Sequence, residues 1–245
     1  MTSSGPFPRH LPDSTSDPEA IARNDWEAFA EIEHLRDHWS VKQWPGGRAG
    51  YYWYLTFDDP DLVSFAAECQ RGLALTGIDA VPPDGLHITL GSVGDTTAVT
   101  DEQVETLVSC ASERLSEVKP FDLTIGPLSG SRSAIRFSVA PWDPLLDLHR
   151  ALSVCSGEVS PDPTSRDVPG VPSRFRPHLG IAYNNTDRAA ADVIAAVAAL
   201  RQTPERISVR VDTVELVVLR RKGRCYRWDT RAAIALGDAA SNSVV

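Results

Sequence analysis

Apolar positions along this chain follow two periods. Stretches with apolar residues every three to four positions predict helices, and alternating or β-branched runs predict strands. Ile21, Trp26, Phe29, Ile32 and Leu35 form a rough stripe that predicts a helix over 18–39, with Asp17 as its cap and Pro18 as its first residue. The run YYWYLTF over 51–57 predicts a strand, and Asp59-Pro60 opens a helix to about Ala74. LHITLGSV over 86–93 predicts a second strand. A helix over 101–118 follows, capped by Thr100 with Gln103 in capping-box position. Two strands are expected over 121–125 and 134–140, then a helix over 144–155, a strand over 178–183 and an Ala-rich helix over 187–200. Three strands close the pattern at 206–211, 214–219 and 225–236, the last two joined by a hairpin around Lys222-Gly223.

Both histidine-bearing strands, 86–93 and 178–183, are followed by a helix and then by paired strands. This repeat of order, without sequence identity, predicts two similar α+β lobes that each offer one histidine to a shared cleft. The Pro-, Ser- and Thr-rich residues 1–17 predict a disordered tail, 18–45 an N-terminal helical extension, 46–236 the bilobal domain and 237–245 a frayed tail. Residues 157–173, with four prolines, read as a long loop, and such loops are usually functional or disordered.

Alternation within the strands picks out the chemistry. His87 and Thr89 share one face, and Leu86, Ile88 and Leu90 the other. His178 and Gly180 share a face in the same way, opposite Leu179 and Ile181. A single such histidine is most simply a partly buried, hydrogen-bonded residue. Two in one cleft suit phosphodiester chemistry, one taking a proton from the attacking oxygen and the other giving one to the leaving oxygen. Ordinary imidazole titrates near pH ~6.5, so both forms are accessible near neutrality.

The segments LHITLG and RPHLGIAY resemble the paired motifs of the two-histidine (2H) phosphoesterase superfamily, in its bacterial 2′-5′ RNA ligase-like branch. The resemblance runs from about Trp44 to Leu236. It implies an α+β, bilobal fold of two pseudo-symmetric antiparallel sheets with helices outside and a central groove. It also implies metal-independent action on cyclic phosphates of nucleotides or RNA ends, with no cofactor, His87 and His178 as the acid–base pair and Thr89 as a phosphate-binding hydroxyl. Gly180 stands where the family has Thr or Ser. The missing hydrogen bond to a charged phosphate is worth about 1.5–3 kcal/mol, or roughly ten- to a hundredfold in rate. A Gly180 N–H approaching the phosphate is one compensation; a non-catalytic module binding a nucleotide or RNA end is the alternative reading.

Further candidates surround these motifs. Arg176 reads either as a bidentate phosphate partner or as a solvated loop residue. Spacing puts Tyr183 on the opposite face from His178, as a substrate contact or a packing residue. Tyr52 and Tyr54 share one face of their strand and Tyr51, Trp53 and Leu55 the other; one face is core, and the other offers a stacking surface for a base. Arg220, Arg221, Lys222 and Arg224 form a basic hairpin tip that is solvated or meets an RNA backbone. His34 and His38 are spaced i, i+4 but lack the glutamate of a zinc-protease motif and any evident third ligand. Asp84, Asp95 and Asp187 fall in loops or at element ends, so no metal site is expected.

Composition narrows the partners. A net charge of −9 argues against coating duplex DNA but leaves room for one small phosphate. Hydrophobic residues make up 42% of the 245, enough for a substantial core, and no stretch approaches the roughly 18 apolar residues of a membrane span. Cys69, Cys110, Cys155 and Cys225 are widely spaced and read as reduced, mostly buried thiols. Residues 1–16 lack a basic segment followed by an apolar run, so no signal peptide and a cytoplasmic location are expected.

Overall fold

The computed structural model describes Pro8 and residues 10–73, 77–159, 175–202 and 205–237. Two antiparallel sheets organise it. The first has strand order β11-β10-β2-β4: β2 Ala49–Thr56, β4 His87–Asp95, β10 Thr213–Arg221 and β11 Tyr226–Ala235. The second has order β3-β7-β6-β5-β9: β3 Ile78–Ala80, β5 Phe121–Gly130, β6 Ala134–Ala140, β7 Leu179–Asn184 and β9 Ile207–Val211. The α+β, two-sheet fold expected from the sequence is present.

The lobes do not follow one another along the chain. The first sheet joins β2 and β4 to the C-terminal hairpin β10–β11, and the second takes the strands between them. The helices cross as well. Helix α3 (Pro60–Gly72) follows β2 but packs on the second sheet, with Phe65 stacked on Phe137 at 4.8 Å. Helices α4 (Asp101–Leu115) and α5 (Asp143–Val159) pack on each other and on the first sheet. The two lobes therefore interleave along the chain, because strand pairing between distant segments overrides chain order.

Local signals hold where a side chain carries them. Asp17, Asp59 and Thr100 cap their helices, the last in a full capping box. The predicted helix over 18–39 is corrected. Helix α1 (Pro18–Ala30) ends early because His34–Leu35, β1, pairs with Arg188–Ala189, β8, and Leu35 is buried by that pairing. Asp37 then caps a separate turn, α2 (His38–Val41). The last predicted helix likewise shortens to α6 (Ala191–Leu200).

Helix α1 lies on the opposite face of the second sheet from α3. Its buried Asp25 accepts from Arg136 Nη2 at 3.1 Å and from Ser138 Oγ at 2.7 Å, alternate residues of β6. Helix α1 is thus built into the second lobe, whereas His38 bonds Tyr226 and Trp44 stacks on Tyr52, both of the first sheet. Part of the stretch expected to be a tail is held too: Thr15 bonds Asp143, and its carbonyl accepts from Trp142 N. Residues 1–7, 9 and 238–245 lie outside the described residues, as do 160–173 of the predicted loop, whose first residues, 157–159, belong to α5.

Cys110 of α4 and Cys155 of α5 form a disulfide, with Cα atoms 5.8 Å apart. This corrects the expectation of four reduced thiols. A sequence separation of 45 hides the adjacency of two packed helices. Cys69 and Cys225 are free. Among the described residues no helix is long and apolar enough to cross a membrane.

Candidate active site

The two histidines are held by the same backbone device. A 3₁₀ turn, Pro83–Gly85, precedes β4, and His87 Nδ1 meets the Gly85 carbonyl at 2.8 Å. His178, just before β7, meets the Arg176 carbonyl at 2.8 Å. A carbonyl only accepts, so each Nδ1 carries the proton and each Nε2 keeps its lone pair. The partner is two residues back in both cases. Strands β4 and β7 lie against each other, close enough for charge on His87 to act on His178.

Both imidazoles are held neutral. Burial lowers His87 to about 4, against the pull of its Gly85 hydrogen bond. Burial, then the neighbouring Arg136 cation, lowers His178 to about 3. Two neutral imidazoles whose Nε2 atoms are the basic ones can each accept a proton there. An incoming phosphate anion would favour protonation of one of them.

The aromatic face of β2 is now resolved. Tyr51, Trp53 and Leu55 enter the main core, and Tyr54 joins a smaller cluster with Val217, Leu219, Tyr52, Tyr226 and Trp228. Tyr54 stacks on His87 at 4.3 Å and 17°, Trp228 meets both rings edge-on at 5.2 Å, and the Tyr54 phenol bonds with Thr89. Tyr54 is therefore support for His87 and Thr89. The expectation that it stacks a base is corrected, because the histidine already covers its face.

Tyr183 is corrected in the opposite sense. The β6–β7 register shifts: Ile135 pairs with Ala182 but Arg136 with Gly180, leaving Ile181 as an extra residue. Ile181 and Ala182 are both buried, and Tyr183 emerges on the face of Gly180. Arg176 enters the site through its carbonyl. Its half-buried guanidinium bonds the Phe175 carbonyl at 3.0 Å and lies in the field of Asp25.

A shallow cleft opens beside His87, walled by Val81, Pro82, Gly85, Tyr183, Arg224, Cys225 and Tyr226. Of the basic hairpin, Arg224 faces it, whereas Arg220 pairs with Asp229 and Arg221 bonds the carbonyls of Trp39 and Lys42.

Sequence reasoning missed His38. It sits in a cage with Nδ1 3.2 Å from Ser133 Oγ, Nε2 3.0 Å from the Tyr226 hydroxyl and its ring 4.2 Å from Tyr183. Burial lowers it to about 4. A predicted helix concealed it. Tyr226 and Trp228 were findable, since two aromatics at alternate positions share one face of a strand. Among the described residues no group of three or more His, Cys, Asp or Glu is placed to hold a metal ion.

Residues 59–223 match the 2′-5′ RNA ligase superfamily, and the chain belongs to that family, a branch of the two-histidine phosphoesterases. TT0787 of Thermus thermophilus is 17% identical, with a TM-score of 0.56 over 78% of this chain and 98% of its own. E. coli LigT complexed with NADP+ is 18% identical, with a TM-score of 0.55 over 78% of this chain and 99% of its own. LigT complexed with phosphate is 17% identical, at 0.52 over 77% and 98%. At such identities the likeness establishes the fold. No curated protein matches the chain. Helices α1 and α2 precede the matched residues.

Proposed function

We propose that this protein is a phosphodiesterase that opens a cyclic phosphate on a nucleotide or RNA end by His–His acid–base catalysis, without metal or cofactor. The observation that carries it is the pair of neutral imidazoles, each oriented by the carbonyl two residues back so that Nε2 is its basic atom. One histidine takes the proton of the attacking water. Water oxygen bonds to phosphorus, the bond to the 2′ or 3′ oxygen breaks, and the other histidine, which takes up a proton from solvent at Nε2 when the phosphate anion binds, gives that proton to the leaving oxygen. Thr89 and Gly180 face the phosphate, and duplex DNA is not a partner. LigT complexed with NADP+, ATP, 3′-AMP and phosphate supports a nucleotide or phosphate ligand here.

The test is hydrolysis of a panel of 2′,3′-cyclic nucleotides and cyclic-phosphate oligonucleotides in EDTA. Product from wild type, lost in His87→Ala and His178→Ala, is expected; turnover retained in both variants rejects the mechanism. Gly180 favours one second reading, a module that binds the same phosphates without turnover, and binding with no product would support it.

The cytoplasmic location belongs to the same proposal. The Cys110–Cys155 disulfide bears against it, because the cytosol keeps most thiols reduced. Counting free thiols in protein trapped directly from cells decides the point.

A further inference from the structure

The second half-site lacks a side-chain hydroxyl at Gly180, and the fold places another one beside the gap. Among the described residues, the one heavy atom within 4 Å of an ideal Cβ at Gly180, apart from chain neighbours, is the Tyr183 hydroxyl oxygen, at 3.9 Å. The bulge at Ile181 brings it there; a regular strand would have turned Tyr183 to the other face. Its ring is held at 4.2 Å from His38, 5.1 Å from Trp39 and 5.6 Å from Tyr226, so the hydroxyl is oriented before any ligand arrives.

Two neighbouring tyrosines of the groove have their hydroxyls engaged. Tyr54 bonds with Thr89, and Tyr226 with His38. Tyr183 also lines the cleft beside His87, and among the described residues its hydroxyl has no hydrogen-bond partner.

We propose that Tyr183 donates the phosphate hydrogen bond that a Thr or Ser at position 180 would otherwise make, completing the second half-site from five residues beyond His178. This rests on the phosphodiesterase reading and deepens it. Burial raises the phenol well above its ordinary range, so the hydroxyl stays protonated and remains a donor throughout the working pH. The bond would act on the same phosphate that Thr89 meets from the first half-site, giving a two-sided clamp. Only a hydrogen bond is made; no group is transferred to the tyrosine.

The experiment is a four-way comparison of wild type, Tyr183→Phe, Gly180→Ser and the double variant, with kcat and KM on a 2′,3′-cyclic nucleotide. Tyr183→Phe keeps the ring packing and removes only the hydroxyl, and among the described residues no atom beyond the chain neighbours lies nearer than 3.9 Å to a Cβ at 180. Tyr183→Phe is expected to lower kcat/KM by roughly ten- to a hundredfold. Gly180→Ser should restore most of that loss when combined with Tyr183→Phe, a gain larger than any change it makes in the wild-type background. Wild-type rates in Tyr183→Phe, or an equal effect of Gly180→Ser in both backgrounds, would overturn the proposal.

His87→Ala is run alongside: turnover that survives it sinks the histidine mechanism, whatever Tyr183 does. If wild type turns nothing over, calorimetric titration with inorganic phosphate replaces the rates. Weaker binding by Tyr183→Phe, recovered by Gly180→Ser, supports the hydroxyl's role, and equal binding overturns it.

Discussion

The two half-sites orient their histidines alike and surround them differently. His87 lies among aromatic rings, stacked on Tyr54 and edged by Trp228, and burial alone lowers its pKa. His178 lies beside a buried ion pair, and the Arg136 cation adds to burial. In the first half-site the hydroxyl, Thr89, sits two residues along the histidine's own strand. In the second it is absent from that position, and a bulge offers Tyr183. The lesson is that pseudo-symmetry is kept in the backbone, where each imidazole is held by one fixed carbonyl, and relaxed in the side chains, where Thr89 and Tyr183 offer a hydroxyl from different positions.

The largest effect should come from removing either imidazole. His87→Ala and His178→Ala are each expected to lower turnover by about 10²–10⁴-fold, with unchanged circular dichroism. A marked inequality between them would show that the halves are not equivalent in the reaction.

Next in size is the ion pair peculiar to the second half. Arg136 and Asp25 are both 1% exposed, and Ser138 shares the carboxylate. Asp25→Ala removes the carboxylate that Arg136 and Ser138 share, and destabilisation of about 3–5 kcal/mol is expected in urea unfolding. A loss below about 1 kcal/mol would mean that water reaches Arg136 in the variant.

Acid separates the halves more finely. Proton NMR should find His178 titrating below His87, near 3 against near 4, in the free protein. Both values lie below the ordinary 6.5, as does that of His38. The unfolded chain therefore binds protons that the folded chain refuses, and stability falls as pH drops from about 6.5 towards 4. Constant stability across that window would contradict the buried, neutral assignment.

The smallest effect is expected at Tyr54→Phe. It removes the bond to Thr89 but keeps the ring under His87, costing about 0.5–1.5 kcal/mol in folding or binding. A loss as large as that of Tyr183→Phe would make the Tyr54 hydroxyl a phosphate ligand in its own right.

Much of this was written locally. Alternation alone put His87 with Thr89 and His178 with Gly180, because a side chain's face in a strand depends only on its parity. The caps Asp17, Asp59 and Thr100 were readable because each satisfies donors two or three residues away. Tertiary structure decided what those signals cannot carry. The β7 bulge reversed the parity of Tyr183, and pairing with β8 ended α1 before the apolar stripe did. Packing of α4 on α5 joined Cys110 to Cys155, and burial against His87 turned Tyr54 from a surface into a support. Each of these depends on a partner far along the chain, whose position no local pattern of residues encodes.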